Sequence, residues 1–266
     1  MSDDNQMLTF GGHLEVLRRM LFRVLIVTAV FACAIFCFKD STFALLLAPS
    51  KSDFCLYRWI EQFFAWAGYD FHFAPFEVDL IATDLSSQFM THVSTSLYLG
   101  FLCASPYILF ELFRFISPAL YENERKYSIP VLLIIYTLFI VGVLMSYFIL
   151  FPISFRFLGT YSVAEQVHST ITLDSYISTF VTLTLVMGVV FQLPVIAYFL
   201  AKLGFIDSEM LAKYRQYAFL IIMIVAAIIT PPDLMTLVLV TIPLYLLYEI
   251  SIIVTRHVRN TAFAGT

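Results

Sequence analysis

The feature that most limits what this chain can fold into is a series of continuous apolar runs, each near the length that crosses a lipid bilayer. A membrane helix needs about 20 mostly apolar residues. Such runs occupy Leu21–Phe38, His92–Phe113, Tyr127–Leu150 and Ser175–Ala201, followed by two shorter ones at Tyr217–Ile229 and Leu234–Ile250. The last two are separated only by Thr230-Pro231-Pro232-Asp233, a stop that a single helix does not carry through. The runs are unbroken rather than alternating, which points to helices instead of a barrel, because a helix pairs its own backbone groups in lipid. Composition agrees. Of 266 residues, 61% are hydrophobic and 13% charged, against roughly 45–50% and about 25% in soluble domains. A soluble core of this size could not hide that excess, which disfavours a soluble enzyme or a disordered chain. A net charge of −4 without a basic patch argues against nucleic acid.

The expected architecture is an all-α integral membrane protein, a single transmembrane domain over residues 1–266 with six spans, the fifth and sixth short. Six spans place both termini on one face. That face collects all of the 15 Lys and Arg residues except Lys39, Lys51, Arg58 and Arg156, so it is expected to be cytoplasmic. Met1–Phe10 is polar and no small-residue cleavage site follows the first run, which predicts a retained anchor rather than a leader. Long and short helices side by side predict a concave, cup-like body. The outer loop, residues 39–91, is rich in aromatics. It predicts one helix over Leu56–Ala67 lying at the membrane face and another over Ser41–Leu47.

Polar groups within the spans carry the functional signal. Gln192 stands ten residues before Lys202, about 15 Å from the cytoplasmic end, and Pro194 removes a backbone donor just beyond it. It fits either an interhelical hydrogen bond or a polar notch for a partner's transmembrane segment. Glu111 and Glu249, at cytoplasmic span ends, are expected to be interfacial and hydrated. Glu15, Arg18 and Arg19 have the spacing of local helix pairs. Cys33, Cys37, Cys55 and Cys103 lack histidine or carboxylate at ligand spacing, so no metal or cofactor is expected.

Several motifs occur in a fixed order. His13-Leu14-Glu15-Val16-Leu17-Arg18 opens the chain; Ala48-Pro49 follows span one, and Ile81-Ala82-Thr83-Asp84 precedes span two. Phe115-Ile116-Ser117-Pro118-Ala119-Leu120-Tyr121-Glu122-Asn123-Glu124-Arg125 fills the first cytoplasmic loop, and Phe151-Pro152 closes span three. Phe191-Gln192-Leu193-Pro194 lies in span four, Thr230-Pro231-Pro232-Asp233 follows span five, and Ile242-Pro243-Leu244-Tyr245 lies in span six. Over roughly residues 13–258 the chain resembles the TatC family, the polytopic subunit of the twin-arginine protein translocase.

The resemblance implies a cupped six-helix fold in the bacterial inner membrane. It also implies a receptor for twin-arginine signal peptides that assembles with single-span TatA/TatB-type partners, moving folded proteins on the proton-motive force. By motif position, Glu124, Glu15, Arg18, Phe115 and Pro118 would receive the signal peptide. Gln192 and Pro194 would face a partner helix, and Pro49, Pro231, Pro232 and Asp233 would shape turns. Two positions depart from the family pattern. The glutamate of His-Leu-x-Glu-Leu-Arg is Val16 here, with Glu15 one residue earlier, a rotation of about 100° on a helix. Gln192 stands where members often carry glutamate, and an amide cannot titrate. A secondary transporter of a small solute, suggested by the proline-interrupted spans, is the alternative.

Overall fold

The computed structural model describes residues 10–70, 76, 78–116, 128–162, 164 and 170–263. In chain order the elements are α1 (Phe10–Cys37), α2 (Lys39–Leu47), a 3-10 turn (Ala48–Ser50), α3 (Cys55–Trp66), β1 (Leu80–Ile81), α4 (Ser87–Ile116) and α5 (Ser128–Met145). A π-helical step (Ser146–Leu150), α6 (Phe151–Thr160), β2 (Ile171–Thr172), α7 (Leu173–Val190), α8 (Leu193–Lys202), α9 (Ser208–Lys213), α10 (Arg215–Ile229) and α11 (Leu234–Phe263) complete it. Among the described residues five helical segments are long and apolar enough to cross a membrane: Leu14–Cys37, Ser87–Phe115, Ile129–Thr160, Leu173–Lys202 and Leu234–His257. α10 is a sixth apolar helix of 15 residues, which at about 1.5 Å per residue reaches only about 22 Å.

Three expectations about the spans change. The helix of span three does not stop at Phe151-Pro152. It continues as α6 to Thr160, because the backbone before Pro152 widens to π-helical bonding, Phe151 N–H reaching back to Ser146 O, and the chain passes the proline without leaving helical geometry. The five-residue π step before it supplies the adjustment. Span four is two helices. Gln192 stands at the N-terminal boundary of α8, and Pro194 falls in that helix's first turn, where the donor it lacks is one that a helix start leaves unbonded. Across the break Phe191 N–H donates to Met187 O at 3.0 Å, while Val195 and Ile196 N–H donate to Gln192 O at 3.0 and 2.9 Å. The helix of span six runs well past Ile250, because the apolar series resumes at Ile250, Ile252 and Ile253.

The chain divides into two compact units, residues 1–39 with 92–136 and residues 40–91 with 137–266. In the first, α1 and α4 meet closely at Gly100, where a Cβ would lie 2.7 Å from Ala32 N; small residues at such crossings let backbones approach. Phe36 stacks on His92 at 4.2 Å between ring centroids, which gives that histidine a packing role. Ser96 bonds back to His92 O at 2.8 Å, satisfying its hydroxyl within its own helix.

The second unit is built around rings. Phe151 packs edge-on against Tyr176 and Phe180, each at 5.0 Å, and Phe155 meets Tyr176 at 4.9 Å. α2 has only nine residues, too few to hold a helix alone. Tyrosines arriving from distant elements bond its last carbonyls: Tyr147 donates to Leu45 O at 2.8 Å and Tyr176 to Leu46 O at 2.7 Å. β1 and β2 form a two-residue parallel bridge, Leu80 opposite Ile171 and Ile81 opposite Thr172. The bridge ties the Ile-Ala-Thr-Asp motif to the start of α7, whose first turn is capped by Thr172. α5 and α7 touch at Gly142, where a Cβ would lie 2.6 Å from Met187 O, and Ser146 and Thr184 share a hydrogen bond at 3.3 Å just beyond.

Gly142→Ala is therefore expected to separate α5 from α7 and destabilise the protein by about 1–3 kcal/mol. A lowered thermal unfolding midpoint in detergent checks it; an unchanged midpoint would mean that the two helices are not held at this spacing.

Candidate functional site

The sequence-predicted residues fall into separate places. Glu15, Arg18 and Phe115 belong to the first unit, whereas Pro49, Gln192, Pro194, Pro231, Pro232 and Asp233 belong to the second. Glu124 and Pro118 lie outside the described residues. Glu15 is half-exposed on α1. Its Oε1 accepts from Arg18 Nη2 at 3.1 Å and from Arg19 Nε at 3.0 Å, the local pairs that the spacing predicts. Exposed pairs of this kind are worth about 0.3–0.5 kcal/mol each, so the carboxylate holds two adjacent guanidiniums loosely. Phe115 is half-buried near the end of α4, and Val16, at the family's glutamate position, is exposed.

In the second unit Pro49 is buried in the first turn of the 3-10 segment. Pro194 is buried and Gln192 is half-buried at the α7–α8 break. The Thr-Pro-Pro-Asp turn works as a double stop. Thr230 closes α10 with its N–H and hydroxyl both on Ala226 O at 2.9 Å, and Asp233 Oδ1 accepts from Thr236 N–H at 2.6 Å to open α11.

Two clusters escape motif reading. Glu111, expected to be hydrated, has only 5% of its surface exposed. Its Oε1 accepts from Arg23 Nη1 and from Tyr107 Oη, each at 3.0 Å. Burying a carboxylate is tolerable only with such partners. Glu249 repeats the pattern: Arg215 Nη2 donates to Oε2 at 2.9 Å and Tyr245 Oη to Oε1 at 3.0 Å. In both, the tyrosine precedes the glutamate by four residues on one helix and the arginine comes from another helix. The Tyr-x-x-x-Glu spacing was the available signal; the arginine partners, 88 and 34 residues away, were not legible.

These features agree with what known proteins show. The family described as Sec-independent protein translocase protein (TatC) matches residues 12–243. The chain belongs to the TatC family. The TatC of Blattabacterium sp. subsp. Periplaneta americana is 34% identical over 262 residues, covering 97% of this chain and 98% of that one. The TatC of Carboxydothermus hydrogenoformans is 30% identical, covering 98% of each. A crystal structure described as the twin-arginine translocase receptor TatC superposes with a TM-score of 0.74 at 34% identity, over 93% of this chain and 99% of that one. As a TatC-family member the chain is a multi-pass membrane component of a Sec-independent protein translocase and not an enzyme. The small-solute transporter reading gives way to that membership.

The buried pair gives a test. Arg23→Ala leaves the Glu111 carboxylate with Tyr107 alone and is expected to destabilise by about 2 kcal/mol, toward the low end for a buried pair because Arg23 is itself half-exposed. Arg23→Ala with Glu111→Gln removes the stranded charge and is expected to recover most of that loss in unfolding measurements. Additive losses in the double variant would show that the two groups do not act together.

Proposed function

We propose that this chain is the signal-peptide receptor and core subunit of a twin-arginine translocase, binding leaders with paired arginines and recruiting TatA/TatB-type single-span partners so that folded proteins cross on the proton-motive force. The observation that carries the reading is its near full-length relationship to a protein described as the twin-arginine translocase receptor. The face bearing most of the basic residues is cytoplasmic in this proposal, with both termini there, in a bacterial inner membrane.

The chemistry of recognition follows from charge. Two guanidiniums need carboxylates that can take parallel, charge-assisted hydrogen bonds. Glu124, by its place in the Tyr-x-x-Glu-Arg motif, is the principal acceptor, with Pro118 and Phe115 framing the same segment. Glu15 is the second. At rest its carboxylate is shared by Arg18 and Arg19, so an incoming leader displaces contacts worth less than about 1 kcal/mol and leaves Arg18 free to reorganise. Glu111 and Glu249 are poor candidates for this exchange, since each is committed to an arginine and a tyrosine of its own unit. Gln192 and Pro194, at the break between α7 and α8, offer an amide and an interrupted backbone to a partner's transmembrane helix. An amide does not titrate, so coupling to the proton-motive force does not run through Gln192.

Purified protein in nanodiscs is expected to bind an Arg-Arg leader peptide at least about tenfold more tightly than its Lys-Lys counterpart, because lysine lacks the bidentate fork. Glu124→Ala is expected to remove that preference and to abolish export of a twin-arginine reporter while membrane insertion persists. Equal binding of both peptides by folded protein would overturn the assignment.

A further inference from the structure

α3 has three chemically distinct sides. Leu56 and Tyr57 are buried and Ile60 is half-buried, which makes the protein-facing side. Trp59, Phe63 and Trp66, at i, i+4 and i+7, form a second side and are 58%, 63% and 84% exposed. Arg58 and Gln62 lie exposed on the third. An amphipathic helix facing water and protein alone has no use for that middle stripe, whereas a helix at a bilayer surface requires it.

The level of α3 is fixed rather than adjustable. Tyr57 Oη donates to Pro152 O at 2.9 Å. Burial pushes the Tyr57 phenol up to about 12, against a smaller opposing effect of Arg156, so it remains a proton donor at any physiological pH. The Arg156 guanidinium lies over the Tyr57 ring at 4.9 Å and over the Phe76 ring at 4.7 Å. Trp59 stacks near-parallel on Phe148 at 6.3 Å, within a cluster that includes Phe54 and Tyr147.

Helix rise then gives the depth. Thr184, which bonds Ser146, precedes Lys202 by 18 residues, about 27 Å along the fourth span. Counting along the third span, Phe148 follows Ile129 by 19 residues, about 28 Å. Hydrocarbon is about 30 Å thick. Residues Ser146–Phe148, and the helix bolted beside them, thus lie where acyl chains give way to headgroups on the face opposite Lys202. Tryptophan favours that boundary.

We infer that the Trp59-Phe63-Trp66 stripe of α3 is a lipid-binding surface, seated in the headgroup–acyl boundary of the leaflet opposite the basic face, with Arg58 beside it at the level of the lipid phosphates. The occupant is phospholipid and not a second protein. The inference stands apart from the signal-peptide reading, since it uses no residue of that site.

The chain contains two tryptophans, and both are in this stripe, so intrinsic tryptophan emission reports on it alone. Full-length protein is reconstituted in nanodiscs of phosphatidylethanolamine and phosphatidylglycerol, with and without lipids brominated high or low on the acyl chain. Trp59→Phe and Trp66→Phe give single-tryptophan readings while retaining an aromatic ring. The expected result is quenching of about twofold by the shallow bromines, less by the deep ones, and little by aqueous iodide. Strong iodide quenching with no effect of brominated lipid would place the stripe in water and overturn the inference. Blue-shifted emission insensitive to both quenchers would mean that protein, a second copy or a partner, covers it, and would overturn the inference equally.

Discussion

In hydrocarbon no backbone amide or carbonyl can be left without a partner, and this constraint explains the described spans in detail. Each departure from regular helix occurs where something local restores the bonds. The π step before Pro152 lets span three continue. The restart at Gln192 places Pro194 where it has no N–H to miss. Thr230 and Asp233 terminate one helix and begin the next within four residues. Four hydroxyls follow the same rule. Ser154, Thr230, Thr241 and Ser251 each donate to the carbonyl four residues earlier, so these polar residues sit in apolar helices without an external partner.

This is also why the spans were legible in the sequence and their ends were not. Hydrophobic length is written locally, and the runs starting near residues 21, 92, 127 and 175 correspond to helices, as do the expected outer-loop helices, α3 at Cys55–Trp66 and α2 at Lys39–Leu47. A helix, however, stops where its backbone bonds stop rather than where lipid stops. Phe151-Pro152 looks like a terminus because proline breaks helices in general, and only the π-helical step just before it lets the helix continue. Glu249 looks like an interface because carboxylates prefer water, and it keeps 30% of its side chain exposed, yet Arg215, on another helix, also pairs with it.

The candidate site divides on the same line. Motif residues identify the family, yet the two acids that the fold itself uses most strongly, Glu111 and Glu249, are found only through contacts across 88 and 34 residues. Two of the described glutamates show the contrast. Glu15 is exposed and bound by neighbours one turn away, which makes its partners exchangeable. Glu111 is buried, with a cross-helix arginine and a tyrosine, and releasing it would strand a charge. Exchangeable pairing is open to the first, and the second holds two helices in register.

The length of α10 shows where these ideas meet the membrane. Its 15 residues span about 22 Å, some 8 Å less than the hydrocarbon. Both ends are held by polar groups: Arg215 by Glu249 at the start, and Thr230 by its own helix beside the Pro-Pro turn at the finish. The Phe219–Tyr245 contact at 5.6 Å ties the first turns of α10 to α11, so α10 cannot slide to hide one end at the expense of the other. Tilting only shortens its reach further. A helix this much shorter than the hydrocarbon is accommodated by a locally thinner bilayer or by longer helices screening its ends.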